Sequence, residues 1–317
     1  MAGEFELIAK YFRPLAGPEG LGLIDDAAVI TPPAGFDLVI TMDLLVEGVH
    51  FMPGDAPADI AYKSLAVNIS DLAAKGATPA HYFLGLSLPA EKTGDWLAAF
   101  AAGLGAAQRG FDITLAGGDT TESRGDVMIS ITAMGTVPSG AMIKRSGARV
   151  GDGVYVSGTL GDAGLGLKIA RGELANNDFL LGRYRRPEPR LRLGAALAGL
   201  ARACADVSDG LMADLGHICA ASGVGASIEE VHLPVSAPTA ALVQSNPSLR
   251  ALVYAGGDDY ELVFTVAKEN HARLMEIADE LDLPISRIGL IIGSGNIELI
   301  DKHGELVQTS NQGYQHF

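Results

Sequence analysis

The chain has 317 residues with 38 acidic against 23 basic side chains, a formal charge of −15. That surplus excludes a nonspecific nucleic-acid binder, which needs clustered Lys and Arg to displace counterions from phosphates, and a protein docked on an anionic membrane surface. At 48% hydrophobic and 19% charged residues it is not a disordered chain, and its length suits about two domains.

Taken in chain order, Phe5, Leu7, Ile8, Tyr11 and Phe12 have the spacing of a short amphipathic helix. Ala27–Ile30 and Leu38–Ile40 are apolar runs separated by Pro32-Pro33-Ala34-Gly35, which predicts two strands and a turn. Asp59–Lys75 reads as a helix stopped at Gly76, and His81–Leu88 as a strand stopped by Pro89. A buried helix begins at Trp96, followed by a strand at Asp112–Ala116 and a β-rich run at Val127–Val137. The glycines and cations of the next segment (Lys144, Arg145, Arg149) mark a domain boundary, which gives domains at 1–138 and 153–317 and a linker at 139–152. The second half reads as strand Val154–Val156, helix Ala163–Arg171, helix Pro187–Arg202, helix Leu211–Ala221, strand Glu261–Val266, helix Lys268–Leu281, and strands Ile288–Ile292 and Ile297–Ile300. Mixed α and β in two domains is the fold class this predicts.

No stretch reaches the ~18 apolar residues of a membrane helix, and the N-terminus lacks a signal peptide's basic and apolar regions. Cys204 and Cys219 are the only cysteines, too few for a disulfide framework or a four-cysteine zinc site. A reduced, cytoplasmic protein is the economical expectation.

The carboxylates recur where strands should end or glycine turns begin: Asp25-Asp26, Asp43, Gly117-Gly118-Asp119, Asp206 and Asp209, and Gly256-Gly257-Asp258-Asp259. Asp71 shares a helix face with Asn68, three residues before it. Any single one could be an ordinary cap or turn residue. Together, carboxylates with hydroxyls and no His/Cys cluster favour a hard cation such as Mg²⁺ or Ca²⁺, and more carboxylates than one Mg²⁺ needs imply several ions bridged by a polyphosphate. That points to phosphoryl transfer, in which catalysis is mostly positioning and charge neutralisation. The phosphate-binding Gly-x-x-x-x-Gly-Lys-Ser/Thr and Gly-x-Gly-x-x-Gly loops are absent, so any ATP must meet backbone at Gly117-Gly118 and a cation such as Arg145.

These blocks, in this order, resemble the thiamine-monophosphate kinases of the aminoimidazole ribonucleotide synthetase superfamily. They run from Gly3-Glu4-Phe5 and Asp25-Asp26 through the Thr41–Phe51 block with His50, then Ala66–Ala74, Gly117–Thr121 and Arg145–Ala148. Asp206–Leu211, Gly256–Leu262 and the terminal Gly313–Phe317 complete the set, which spans nearly the whole chain. The resemblance implies a two-domain α/β (α+β) fold with the N-terminal sheet domain used for homodimerisation. It also implies ATP-dependent phosphorylation of thiamine monophosphate to thiamine diphosphate by direct in-line transfer, with several Mg²⁺ ions. By the same resemblance Asp26, Thr41, Met42, Asp43, Asp71, Asp119, Asp206 and Asp209 hold magnesium. Gly118, Arg145 and Ser208 contact ATP, and His50, Asp258 and Tyr314 contact the thiamine phosphate. No covalent intermediate is implied. The chain departs from many members at Ile24 (Gly), Met42 (Thr) and, against some, Asp258 (Glu). The competing readings are another ATP-dependent enzyme of the superfamily and an acidic divalent-cation binding protein without turnover.

Overall fold

A computed structural model describes residues 3–293, 295–307 and 313–314. The Gln315-His316-Phe317 end of the terminal block lies outside the described residues. The chain divides into two compact units, one of residues 1–72 and 77–140, the other of 73–76 and 141–317.

The first unit begins with a helical turn, α1 (Glu4–Leu7), that continues in irregular turns to Leu15. Its sheet is built from β1 (Phe36–Val46), β2 (Thr78–Leu88), β3 (Thr114–Glu122) and β4 (Met128–Pro138), in the order β1-β4-β2-β3. Two helices, α2 (Pro57–Ala74) and α3 (Asp95–Phe111), provide the crossovers. Only β2 and β3 run parallel, as the intervening helix α3 requires. Side chains alternate across the strands. Val39 and Leu45 of β1, Leu84 and Leu86 of β2, and Ile129 and Ile131 of β4 are buried on one face. The opposite face is open, with Ile40, Met42 and Leu44 exposed by 56%, 63% and 51%. Helices α2 and α3 pack closely because residue 103 is glycine: a Cβ there would lie 2.5 Å from Ala58 Cα.

The second unit holds a six-stranded sheet in the order β10-β7-β9-β5-β8-β6. Its elements in chain order are β5 (Gly153–Ser157), α4 (Asp162–Ala170), α5 (Asp178–Arg185), α6 (Leu191–Leu197), β6 (Ala201–Asp206), α7 (Leu211–Ser222) and β7 (Gly225–Glu229). They continue with α8 (Ala237–Ser245), α9 (Ala251–Ala255), β8 (Leu262–Val266), α10 (His271–Leu281), β9 (Ile285–Ile292) and β10 (Ile297–Ile300). Here both sheet faces are covered. Val154, Val156 and Ala205 join Leu211, Leu215 and Ile218 of α7 in one core. Tyr155, Cys204 and Phe264 face the other way, onto Leu193 and Leu197 of α6 and Leu274 of α10.

Three sequence expectations need correction. Ala27–Ile30 is not a strand: Val29 is 64% exposed, and its N–H bonds to Glu19 O rather than to a neighbouring strand. The strand expected at Asp112–Ala116 is β3, which starts two residues later and runs on through Gly117-Gly118-Asp119, so that block is strand and not turn. The helix expected at Pro187–Arg202 is confined to Leu191–Leu197, because Gly199 takes a left-handed conformation (φ 78°) and the chain turns into β6. Helices α5, α8 and α9 and strands β6 and β7 were not anticipated.

Candidate functional site

Strand β1 and helix α2 build the first cluster. Thr41 and Asp43 point to the α2 side of the sheet, as their alternation with the exposed Ile40, Met42 and Leu44 requires. The Thr41 hydroxyl donates a short hydrogen bond to Asp71 Oδ2. The fully buried Asn68 accepts the Asp43 N–H on Oδ1 at 3.1 Å and donates from Nδ2 to Ser64 O at 3.1 Å. Asn68 thus sets the strand carrying Asp43 against the helix carrying Asp71, a role not assigned from the sequence. The Met42 side chain faces away from this cluster, which leaves its carbonyl as its only means of contributing. His50 follows β1 in a tight turn, and its Nδ1 accepts the Val46 N–H at 3.0 Å, so the ring proton sits on Nε2.

Asp26, Gly118 and Asp119 lie elsewhere in the unit. With Phe5, Ile8, Asp25 and Thr132 they line a groove of about 560 Å³ that Thr41, Asp43 and Asp71 do not reach. β1 and β3 are opposite edges of the sheet, three strand spacings or roughly 14 Å apart. The unit therefore divides its predicted ligands into two groups. Glycine at 118 is required by packing: a Cβ there would lie 2.0 Å from Leu84 O. It also leaves the backbone bare where it borders the groove.

In the second unit a turn after β6 gathers the predicted residues. Asp206 ends the strand, buried at 4% exposure. The N–H groups of Ser208, Asp209 and Gly210 all donate to Asp214 Oδ2, at 3.0, 3.1 and 3.2 Å. Burial, and next the Asp209 charge, push the Asp214 carboxyl up to about 7, although the backbone bonds and the Arg145 charge oppose the rise. Asp214 was missed in the sequence, where only its place in the first turn of a helix signalled it. Asp209, Asp214 and His217 each offer one ligand atom, and these atoms lie within 4.8 Å of one another, the only such group among the described residues. His217 follows Asp214 by three residues, which puts both on one face of α7.

The Gly256–Glu261 block wraps against the same turn. Asp258 N–H donates to Ser208 O at 2.8 Å, and Tyr260 N–H to Val207 O at 2.8 Å. Asp258 and Tyr260 both take left-handed backbone (φ 71° and 51°), and a Cβ at Gly257 would lie 2.5 Å from Ser208 O. The neighbouring carboxylates are structural. Asp259 accepts the N–H groups of Gly161 and Ala163 at the start of α4, at 2.7 and 3.2 Å, and its burial holds its carboxyl well above the ordinary value. Fully buried Glu261 pairs with Arg183 at 2.8 Å and with Arg190 Nε at 2.7 Å. Tyr314 N–H donates to Asp209 O at 2.9 Å. Tyr314, Asp209, His217 and Asn296 border a second groove of about 730 Å³. Arg145 is exposed, and its carbonyl accepts from Ser222 Oγ at 3.5 Å.

Comparison with known proteins gives consistent matches. AIR synthase related protein, N-terminal domain, matches residues 24–137, and the corresponding C-terminal domain matches residues 149–302. Thiamine-monophosphate kinase of Salmonella typhimurium is 42% identical over 99% of this chain and 98% of its own length. The crystal structure of thiamine-monophosphate kinase from Stenotrophomonas maltophilia has 43% identity and a TM-score of 0.84, covering 93% of this chain and 94% of that one. A structure of AaThiL complexed with AMPPCP and TMP has 30% identity and a TM-score of 0.78, covering 99% of this chain and 97% of that one.

Proposed function

This chain belongs to the thiamine-monophosphate kinase family of AIR synthase related proteins, and we propose that it transfers the γ-phosphoryl group of ATP directly to thiamine monophosphate, giving thiamine diphosphate and ADP. The observation that carries this reading is 42% identity, over 99% of the chain, to a curated kinase of that substrate, together with a similar structure complexed with AMPPCP and TMP.

The residues suit the chemistry. The acceptor is already a phosphate monoester, so its oxygen needs little help from a base, and the protein's work is to orient two anions that repel each other. Arg145 supplies mobile positive charge for ATP, with Ser208 as a hydrogen-bonding group. The bare backbone at Gly117-Gly118 lets phosphate approach closely. His50, with its proton on Nε2, donates to the thiamine phosphate; Asp258 and Tyr314 complete the substrate contacts, the tyrosine through its aromatic face.

The oxygen-rich donor sets fit magnesium. Asp43 and Asp71, with the Thr41 hydroxyl and the Met42 carbonyl, form one set; Asp26 and Asp119 form another; Asp206 and Asp209 a third. When bound, magnesium neutralises phosphate oxygen charge. Support for a homodimer comes from the open face of the first sheet, where Phe36, Ile40, Met42, Leu44 and Met128 stand exposed. A second copy covering that face would also enclose the groove at Gly118 and Asp119. A cytoplasmic location fits a biosynthetic kinase of this kind, and no helix among the described residues is long and apolar enough to cross a membrane. The reading is tested by incubating the purified chain with ATP, Mg²⁺ and thiamine monophosphate. Thiamine diphosphate should form in step with ADP, and a folded protein that yields none would contradict it.

A further inference from the structure

Lys63 lies in the second turn of α2 with 2% of its surface exposed. An ammonium group leaves water at a high cost unless partners hold it. Its Nζ donates to the carbonyl of His50 at 2.9 Å. His50 sits in a turn that is tied at several points. The N–H groups of Val49 and His50 return to Val46 O at 3.1 and 3.0 Å, and Gly48 N–H bonds to Phe51 O at 2.8 Å. Beyond the turn, Phe51 is buried and Asp55 Oδ2 accepts the Met52 N–H at 2.8 Å. The ring of His50 is fixed by Val46 and its backbone by Lys63, so the turn is referred to α2. Further along, the same helix carries Asn68 and Asp71, the latter roughly 12 Å from Lys63 at 1.5 Å rise per residue.

We propose that Lys63 is a positioning residue for the kinase reaction: its charged hydrogen bond to the His50 carbonyl holds the His50 ring at a fixed distance from the Asp43–Asp71 cluster. The inference rests on the reading of His50 as a contact to thiamine monophosphate. A cation suits this role because it bonds a carbonyl about twice as strongly as a neutral donor does. A lysine's long apolar stem can also stay buried while its charged head reaches a polar partner. A lysine that only stabilised the fold would affect both substrates alike.

The test is a double-mutant cycle of Lys63→Met, which keeps the stem and removes the donor, and His50→Ala. Each single change should raise KM for thiamine monophosphate about tenfold, the loss expected for one hydrogen bond to a charged group. KM for ATP should stay within about twofold. The double variant should be no worse than His50→Ala alone, because both changes act through one ring. Lys63→Gln, shorter by one atom but still a donor, should recover part of the loss, and it carries the same cycle if Lys63→Met does not fold. Fully additive effects, or equal shifts in both KM values, would overturn the role of Lys63. An unchanged KM in His50→Ala would overturn the reading of His50, and the proposal with it.

Discussion

Asp71 accepts a hydrogen bond from Thr41 across the gap between strand and helix, so its carboxylate is turned toward β1. Asp71→Asn keeps that bond and the side-chain volume but removes the charge. Turnover should fall at least about a hundredfold, the usual loss when a preorganised electrostatic group is removed, with the melting temperature nearly unchanged. Activity within twofold of the parent would exclude Asp71 from the site. Cys204 gives a second residue-scale expectation: it is fully buried, and burial pushes its thiol up to about 12. It should stay unmodified by an aromatic disulfide reagent in the native protein and react on unfolding, as quantified by mass spectrometry. At this scale the Gly256–Glu261 block was only partly legible. Its spacing marks a crowded turn. The division of labour among Asp258, Asp259 and Glu261 depends on the start of α4 and on Arg183 and Arg190, which lie far away in sequence.

Between elements, Glu47 joins the end of β1 to its surroundings, accepting from Lys92 before α3 at 2.7 Å and from Val127 N–H at 2.9 Å. Burial pushes its carboxyl up, but the Lys92 pair and the backbone bond outweigh it, and the net direction is below the ordinary value of 4.5. A depressed carboxyl lends stability above the unfolded-state value and loses it as pH falls through the folded one. Glu47→Gln should therefore cost about 1 kcal/mol at neutral pH, with the difference from the parent shrinking as pH drops below ~4. Urea unfolding at the two pH values measures this; a constant difference would contradict it. Elements with strong periodicity and clear stops were legible, among them α2 with Gly76 and β2 with Pro89. Strand β6 was not, because Ala-Arg-Ala-Cys-Ala suits a helix and becomes a strand only through burial and pairing with β8. Strand β3 was truncated because paired glycines resemble a turn, whereas here they allow close approach to β2.

For the whole molecule, the charge of −15 looks hostile to a nucleotide until the carboxylates are located. Several are structural, and those proposed as magnesium ligands would, with the cation bound, reverse the local sign. The exposed apolar face of the first sheet carries the expectation of a homodimer. Ile40→Glu should convert it to a monomer of 32.9 kDa by light scattering, and a parent protein already monomeric at micromolar concentration would contradict the assembly. Direct transfer between two bound phosphates is open to test in a single turnover with ATP labelled on its γ-phosphorus. All transferred label should appear in the terminal phosphate of thiamine diphosphate, with none on the protein. Label on the protein, or released only as inorganic phosphate while thiamine monophosphate remains unchanged, would contradict direct transfer.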